Sequence, residues 1–179
     1  LRIHEQSGGN PLFALELARV LDDDVDPLEP LPVPATLEEL VRTRLDDLPA
    51  GTRDTLAFVA ALGAPSESLL ESLLERSAAA PGALGPALAA QVVERDRGAI
   101  RFTHPLLSSV LYNDLGMRRR VVHERIAAIV ADPVLRARNL ALATDEPDRA
   151  VAAALEDAAG IAGGRGASAS AAELAEAAL

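Results

Sequence analysis

The chain has 179 residues, no cysteine and a net charge of −10 at pH 7. Disulfides and thiolate metal sites are therefore excluded, and broad contact with the phosphates of duplex DNA is disfavoured. Aromatic residues make up 2% of the chain and hydrophobic residues 49%, so the core has to be built from aliphatic side chains, which suits helices packed on helices.

The two ends of the sequence predict a segment of a longer chain. The sequence begins at Leu1 without a starting Met, and it stops within the Ala/Leu/Glu run Ala172–Leu179 without a helix-ending glycine. Leu1–His4 has no apolar centre of the kind that signal peptides carry. No apolar stretch approaches the roughly 20 residues that span a bilayer, so we expect no membrane partner.

The N-terminal region, 1–34, is predicted to hold one helix and a linker. Apolar residues recur at helical spacing over Pro11–Leu21, with proline in the first turn. The stretch Asp22–Pro34 is acidic and rich in proline, which is typical of a linker or a long loop.

Four helices are predicted next. Thr36 and Glu39 form a capping-box pattern ahead of an apolar stripe that runs to Leu48. A second helix is predicted over Thr52–Leu62, ended by Gly63-Ala64-Pro65. Ser66 can cap a third helix, and a looser fourth is expected around Leu84–Gln91.

The hydrophobic period then changes to that of a hairpin. Val92–Arg95 and Ala99–Phe102 read as two short strands around a turn that contains Gly98. Helices follow over Pro105–Leu115 and Arg118–Ala131. Helices followed by a hairpin wing predict a winged-helix domain over 35–132.

The region 133–179 is rich in alanine and predicts paired helices. One is expected over Arg136–Ala143 and a longer one from Pro147 to about Ile161. Gly163-Gly164 and Gly166 are expected to break it, and Ser170 with Glu173 to cap another helix. The predicted fold class is therefore mainly α: a winged-helix domain with one short β-hairpin, followed by α-α repeat-like helices similar to tetratricopeptide (TPR) units.

The usual catalytic and metal-binding motifs fail in this sequence. All 17 basic residues are arginine, so no Lys-bearing phosphate loop can exist within the chain. His123-Glu124 lacks the second histidine of a zinc protease, and we interpret His123 as a helix-surface or partly buried residue. We therefore predict no catalytic residue, no metal ligand and no enzymatic activity for this chain alone.

Two short segments remain as candidate binding elements. Gly9-Asn10-Pro11 is either an ordinary start of a helix or a contact surface formed by Pro11. His104, which comes between the second strand and a helix, is either an N-cap or core histidine or a sensor of phosphate. The winged helix between the two segments strengthens both functional hypotheses.

Five ordered groups of residues carry a resemblance to a known family. They are Ser7–Phe13 with Glu16-Leu17; Leu37–Val41 through Arg44-Leu45 to Leu48-Pro49; Arg101–Leu107 with Val110 and Tyr112; Arg120 with His123; and Arg138–Ala141 through Val151–Leu155 to Arg165–Ala167. With these the chain resembles the large ATP-binding transcriptional regulators of the LuxR type, which belong to the STAND class of signal-transduction ATPases. Two departures are Asn139, where histidine is usual, and Gly163-Gly164, which interrupts a usually continuous helix.

The resemblance implies a layout and a set of ligands. The complete protein would be a cytoplasmic switch that hydrolyses ATP slowly. Its domains would be, in order, an ATPase core, a helical lid, a winged helix, helical repeats and a C-terminal DNA-binding domain. This chain would hold the end of the lid, the winged helix and the first repeats. Asn10 and Pro11 match the lid motif whose proline contacts adenine, and His104 matches the histidine that meets the phosphates of ADP. The complete protein would bind ATP or ADP with Mg.

The same resemblance implies the partners of the chain. They are the N-terminal ATPase core and a protein or small-molecule inducer on the repeats, while DNA is met only through the C-terminal domain. Two alternatives stay open. A DNA-binding winged helix would need arginines on its fourth helix and wing, and a protein-interaction scaffold would use the alanine-rich helices.

Overall fold

The computed structural model describes residues 35–77 and 82–179. These residues form nine helices and one two-stranded sheet, and the helical class with a single antiparallel hairpin is confirmed. In chain order the elements are α1 (Ala35–Asp46), α2 (Ala50–Leu62), α3 (Glu67–Arg76), α4 (Gly85–Ala89), β1 (Val93–Asp96), β2 (Ala99–Phe102), α5 (Pro105–Asp114), α6 (Arg118–Ile129), α7 (Pro133–Leu142), α8 (Arg149–Gly164) and α9 (Ser168–Ala177).

The chain divides into two compact units. The described residues up to Gly116 belong to the first unit, and Met117–Leu179 belong to the second. This division falls before α6, whereas the predicted domain boundary falls after residue 132. The predicted domain limits stay predictions, and the helix and linker predicted within 1–34 lie outside the described residues.

The helix ends of the first unit follow local backbone chemistry. The Ser66 hydroxyl accepts a hydrogen bond from the Leu69 N–H at 3.2 Å, so the predicted cap of α3 is confirmed. Helix α2 is followed by Gly63, which has a φ of 78°, a positive value that glycine adopts at low cost because it has no Cβ. The capping box at Thr36 is wrong, because α1 already begins at Ala35 and Thr36 lies within it.

The hairpin has a two-residue turn. Val93 pairs with Phe102 and Asp96 with Ala99, so Arg97 and Gly98 form the turn, with φ of 51° and 81°. Positive φ at both positions matches the right-handed twist of the flanking strands. A further antiparallel bridge joins Ser66 to Ala99. The backbone between α2 and α3 therefore lies alongside β2.

Helix α5 is the centre of the first unit. It packs against α1, α2 and β2. Its buried side chains are Leu106, Leu107, Ser109, Val110, Leu111 and Tyr112. Burial of each large aliphatic side chain contributes about 1.5–3 kcal/mol, so this helix fixes the position of the residues at its start.

The second unit is a succession of neighbouring helices. Helix α6 packs on α7, α7 on α8, and α8 on α9. Its buried core cluster contains Ala137, Leu155, Ala158, Ala162 and Leu174. Because three of these five residues are alanine, the helix backbones can approach closely.

Two helix limits near the C-terminus of the second unit correct the sequence predictions. Gly163-Gly164 lies within α8, and the chain turns at Gly166, whose φ is 80°. The packing of α8 on α9 through Ala162 outweighs the weak helix propensity of the two glycines. Ser170 lies within α9 and does not cap it.

The starts of α7 and α8 are set by aspartates rather than by the predicted residues. At the start of α7, Asp132 accepts hydrogen bonds from the N–H groups of Val134 and Leu135. At the start of α8, Asp148 accepts them from the N–H groups of Ala150 and Val151. The predicted starts at Arg136 and Pro147 are therefore wrong by a few residues, the commonest error when helix ends are predicted from periodicity.

Candidate functional site

His104 joins the hairpin to α5 and is the N-cap of that helix. Its backbone is extended, with φ of −143° and ψ of 136°, and its Nδ1 accepts a hydrogen bond from the Leu106 N–H at 3.2 Å. Pro105 occupies the first helical position, where its missing N–H costs nothing. The N-cap role that the sequence left open is therefore what the structure shows.

The capping bond fixes the protonation pattern of the His104 ring. Because Nδ1 accepts a hydrogen bond, the proton of the neutral imidazole is on Nε2, which is then a donor. A second proton on Nδ1 would face the Leu106 N–H and abolish the cap.

Partial burial also favours the neutral form of the His104 ring. It lowers the pKa of His104 below its ordinary value, because desolvation disfavours the charged ring. The contribution of the cap to stability is therefore present at neutral pH. It is lost as the pH falls from the ordinary histidine pKa towards the lowered one.

The residue before His104 is held by the turn between α4 and β1. The Thr103 N–H donates to the Val92 carbonyl at 3.1 Å, and its hydroxyl donates to the Gln91 carbonyl at 2.8 Å. Gln91 has a φ of 53°, which is rare for a residue with a side chain. These hydrogen bonds of Thr103 join the segment that precedes β1 to the segment that follows β2.

Arg44 of α1 contacts the same turn. One guanidinium nitrogen, Nη2, donates to the carbonyls of Ala90 at 3.0 Å and Gln91 at 3.2 Å. The Gln91 carbonyl therefore accepts hydrogen bonds from both Arg44 and Thr103. Sequence reasoning counted both residues among those that carry the resemblance but predicted no role for either. Thr103 could have been suspected as the neighbour of His104, but nothing near Arg44 in the sequence indicates a partner 47 residues away.

The other two candidate residues, Asn10 and Pro11, lie outside the described residues. The structure thus places one of the three candidate nucleotide contacts, and their juxtaposition stays a prediction.

The hairpin arginines are engaged with carboxylates of the first unit. Arg95 pairs with Glu67 at 3.2 Å, and Arg101 pairs with Asp96. Arg97 lies 4.0 Å from the same Asp96 carboxylate. Helix α4, which precedes the hairpin, has the sequence GPALA and carries no charge. This surface therefore has little free positive charge to offer a phosphate backbone.

His123 is fully buried, and its interpretation as a surface or partly buried residue was wrong. It is 1% exposed, and its Nδ1 lies 2.8 Å from Oδ1 of Asn139, which is 2% exposed. The Asn139 amide donates to the Leu135 carbonyl at 2.7 Å, so its oxygen faces the ring and Nδ1 is the donor. Asn139 thus joins α6 to α7, a pairing that the sequence did not reveal.

Two further findings concern the part of the chain that the structure describes. Within it, no cluster of three or more His, Asp or Glu side chains could hold a metal ion. None of its helices combines the length and the apolarity that crossing a membrane requires.

Comparisons with known protein families, with curated proteins and with solved structures found no match to this chain.

Proposed function

We propose that this chain is the regulatory segment of a nucleotide-switched transcriptional regulator of the LuxR type. It would couple an ATPase core to helical sensor repeats and perform no catalysis alone. The observation that carries the proposal is His104, whose ring is fixed as an N-cap at the end of the hairpin with Nδ1 as the acceptor, which leaves the proton of the neutral ring on Nε2.

The arrangement of the first unit supports a winged-helix domain. Helix α2, the bridging segment at Ser66, α3, α4 and the β1–β2 hairpin follow in the order typical of this motif. In particular, the backbone at Pro65 and Ser66 lies against the second strand of the wing, because the Ile100 N–H donates to the Pro65 carbonyl at 2.9 Å.

The proposed contact is one hydrogen bond from His104 Nε2–H to a phosphate oxygen of ADP held by the ATPase core. A neutral imidazole with this tautomer fits an anionic acceptor. A hydrogen bond to a charged group contributes about 1.5–3 kcal/mol, which changes the ratio of closed to open states by one to two powers of ten. Asn10 and Pro11 would contact the adenine side of the same nucleotide.

The second unit supports the role of a sensor. Consecutive helices that each pack on the next are the building principle of helical repeats, and such arrays offer extended binding surfaces. The proposed localisation is the cytoplasm, with Mg-bound ATP or ADP held by the complete protein and DNA met through a C-terminal domain.

Electrostatics ranks the DNA-binding alternative below this proposal. Affinity for duplex DNA depends on cations that neutralise phosphates. Helix α4, which would enter the groove, has no charged residue, and Arg95 and Arg101 of the wing are paired with carboxylates.

The test compares two substitutions at His104 in the complete protein. His104→Ala removes both the cap and the Nε2 donor, whereas His104→Asn keeps a capping oxygen and removes the imidazole. We expect both variants to release a fluorescent ADP analogue about 10- to 100-fold faster than the wild type, measured by stopped flow. Only His104→Ala should lower the melting temperature of the 179-residue chain.

The two roles of His104 separate cleanly in this design. If His104→Asn releases ADP at the wild-type rate, the histidine is only a helix cap and the proposal fails.

A further inference from the structure

The turn that precedes β1 is held in a strained conformation by donors from two other elements. Gln91 has its φ at 53°, in the left-handed region that residues with a side chain rarely adopt. Its carbonyl accepts from the Thr103 hydroxyl at 2.8 Å and from Arg44 Nη2 at 3.2 Å. Strain of this kind persists only where the surrounding structure fixes it, and it concentrates at functional sites.

The hydrogen bonds at this turn lead directly to His104. Thr103 is anchored twice, because its N–H donates to the Val92 carbonyl at 3.1 Å while its hydroxyl donates to Gln91. The next residue is His104, whose ring is then oriented by the Leu106 N–H. The position of the imidazole is thus determined by hydrogen bonds both before and after His104 in the chain. The bonds before it are made at the turn by Arg44 of α1 and by Thr103 at the end of β2.

We infer that Arg44 and Thr103 are positioning residues for His104, which hold its Nε2–H in the direction that a phosphate contact requires. This inference rests on the proposed function, since it assigns two further residues to the same site. Arg44 acts through the Gln91 carbonyl, and Thr103 acts through the backbone that it shares with His104. Neither residue is inferred to touch the nucleotide.

The first experiment measures ADP release from the complete protein. Thr103→Val and Arg44→Gln are each expected to accelerate release by about three- to tenfold, since each removes one or two hydrogen bonds. Thr103→Ser retains the hydroxyl and should restore the wild-type rate. Because the effect passes through His104, combining either variant with His104→Ala should give no further acceleration.

A matched control comes from another threonine of the same unit. The Thr43 hydroxyl also donates to a backbone carbonyl, that of Glu39 at 3.0 Å, but within α1. Thr43→Val should leave ADP release unchanged. If Thr103→Val and Arg44→Gln behave like Thr43→Val while His104→Ala accelerates release, the positioning inference is overturned and the proposed function stands. If His104→Ala has no effect, both are overturned.

A second readout follows the histidine ring itself in the 179-residue chain. Nitrogen-15 NMR should show His104 with an unprotonated Nδ1 and a protonated Nε2. We expect Thr103→Val and Arg44→Gln to shift the ring towards a mixture of both tautomers, and Thr103→Ser to keep the wild-type signals. A loss of thermal stability with unchanged ring signals would show a purely structural role and would contradict the inference.

Discussion

The two units of this chain bury different kinds of side chain. The first unit has a core of large residues, in which Leu56, Leu73 and Ile100 are almost completely inaccessible to solvent. The core cluster of the second unit is mostly alanine, with Leu155 and Leu174 as its two large members. Burial of large side chains therefore contributes most to the first unit, whereas small side chains make up most of the core cluster of the second.

The helix ends of both units are fixed by local caps together with contacts from distant elements. In the first unit, Ser66 and His104 cap their own helices, and Arg44 reaches the turn at Gln91 from a distant element. In the second unit, α7 and α8 each begin at an aspartate that caps its own helix. Contacts between distant elements are also present in the second unit, where the Arg120 guanidinium donates to the Ala143 carbonyl at 3.2 Å and Asn139 joins α6 to α7.

The largest effect on stability is expected when a core side chain is made smaller in the first unit and larger in the second. Leu56→Ala should lower the free energy of unfolding of the first unit by about 2–5 kcal/mol, because it leaves a cavity in a fully buried position. In the second unit, Ala158→Leu should cost about 1–3 kcal/mol, because a larger side chain forces α8 away from its neighbours. Native-state hydrogen exchange measures each unit separately.

Ala153 provides the control for the enlargement. It lies on the exposed side of α8, so Ala153→Leu should leave the exchange rates of the second unit nearly unchanged. A second unit that accepts leucine at Ala158 as readily as at Ala153 would contradict the contrast between the units.

A smaller effect is expected at Asp132, where the cap and an ion pair coincide. One carboxylate oxygen accepts from the Leu135 and Val134 N–H groups, and the other accepts from Arg165 at 2.7 Å. Hydrogen bonds from Leu135 and then Arg165 hold the pKa of Asp132 below its ordinary value. Asp132→Ala should lower the stability of the second unit by about 1 kcal/mol at pH 7.

The pH dependence separates charge from capping at this position. Since the pKa of Asp132 is lowered in the folded state, its stabilisation is complete above the ordinary aspartate pKa. It is lost as the pH falls through the folded-state pKa. Asp132→Asn keeps the cap and should make this part of the pH profile flat in urea denaturation. An unchanged acid-side slope would rule out Asp132 as its source.

The sequence predicted those features that depend on neighbours in the chain. The cap at Ser66, the stop at Gly63 and the hairpin turn at Gly98 follow from local backbone preferences, and all three are found. The N-cap role of His104 was among the alternatives for the same reason. The contact of Arg44 with the turn was not predicted because its partners are distant in sequence, and His123 was misjudged because its burial depends on Asn139 of another helix.

The smallest expected effect tests whether the close helix approach of the second unit requires glycine. Gly163 lies within α8, and a Cβ added there would meet the Cβ of Ala171 at 3.9 Å, an ordinary van der Waals distance. Gly163→Ala should therefore raise the free energy of unfolding by about 0.5–1 kcal/mol, because alanine loses less conformational freedom in a helix. Gly166→Ala is the matched comparison, since its φ of 80° strains any residue with a side chain and the same change should destabilise the unit. Thermal melts of the two variants should move in opposite directions from the wild type. A decrease for Gly163→Ala would mean that α8 and α9 pack more tightly than the 3.9 Å distance allows, and that glycine is required at their contact.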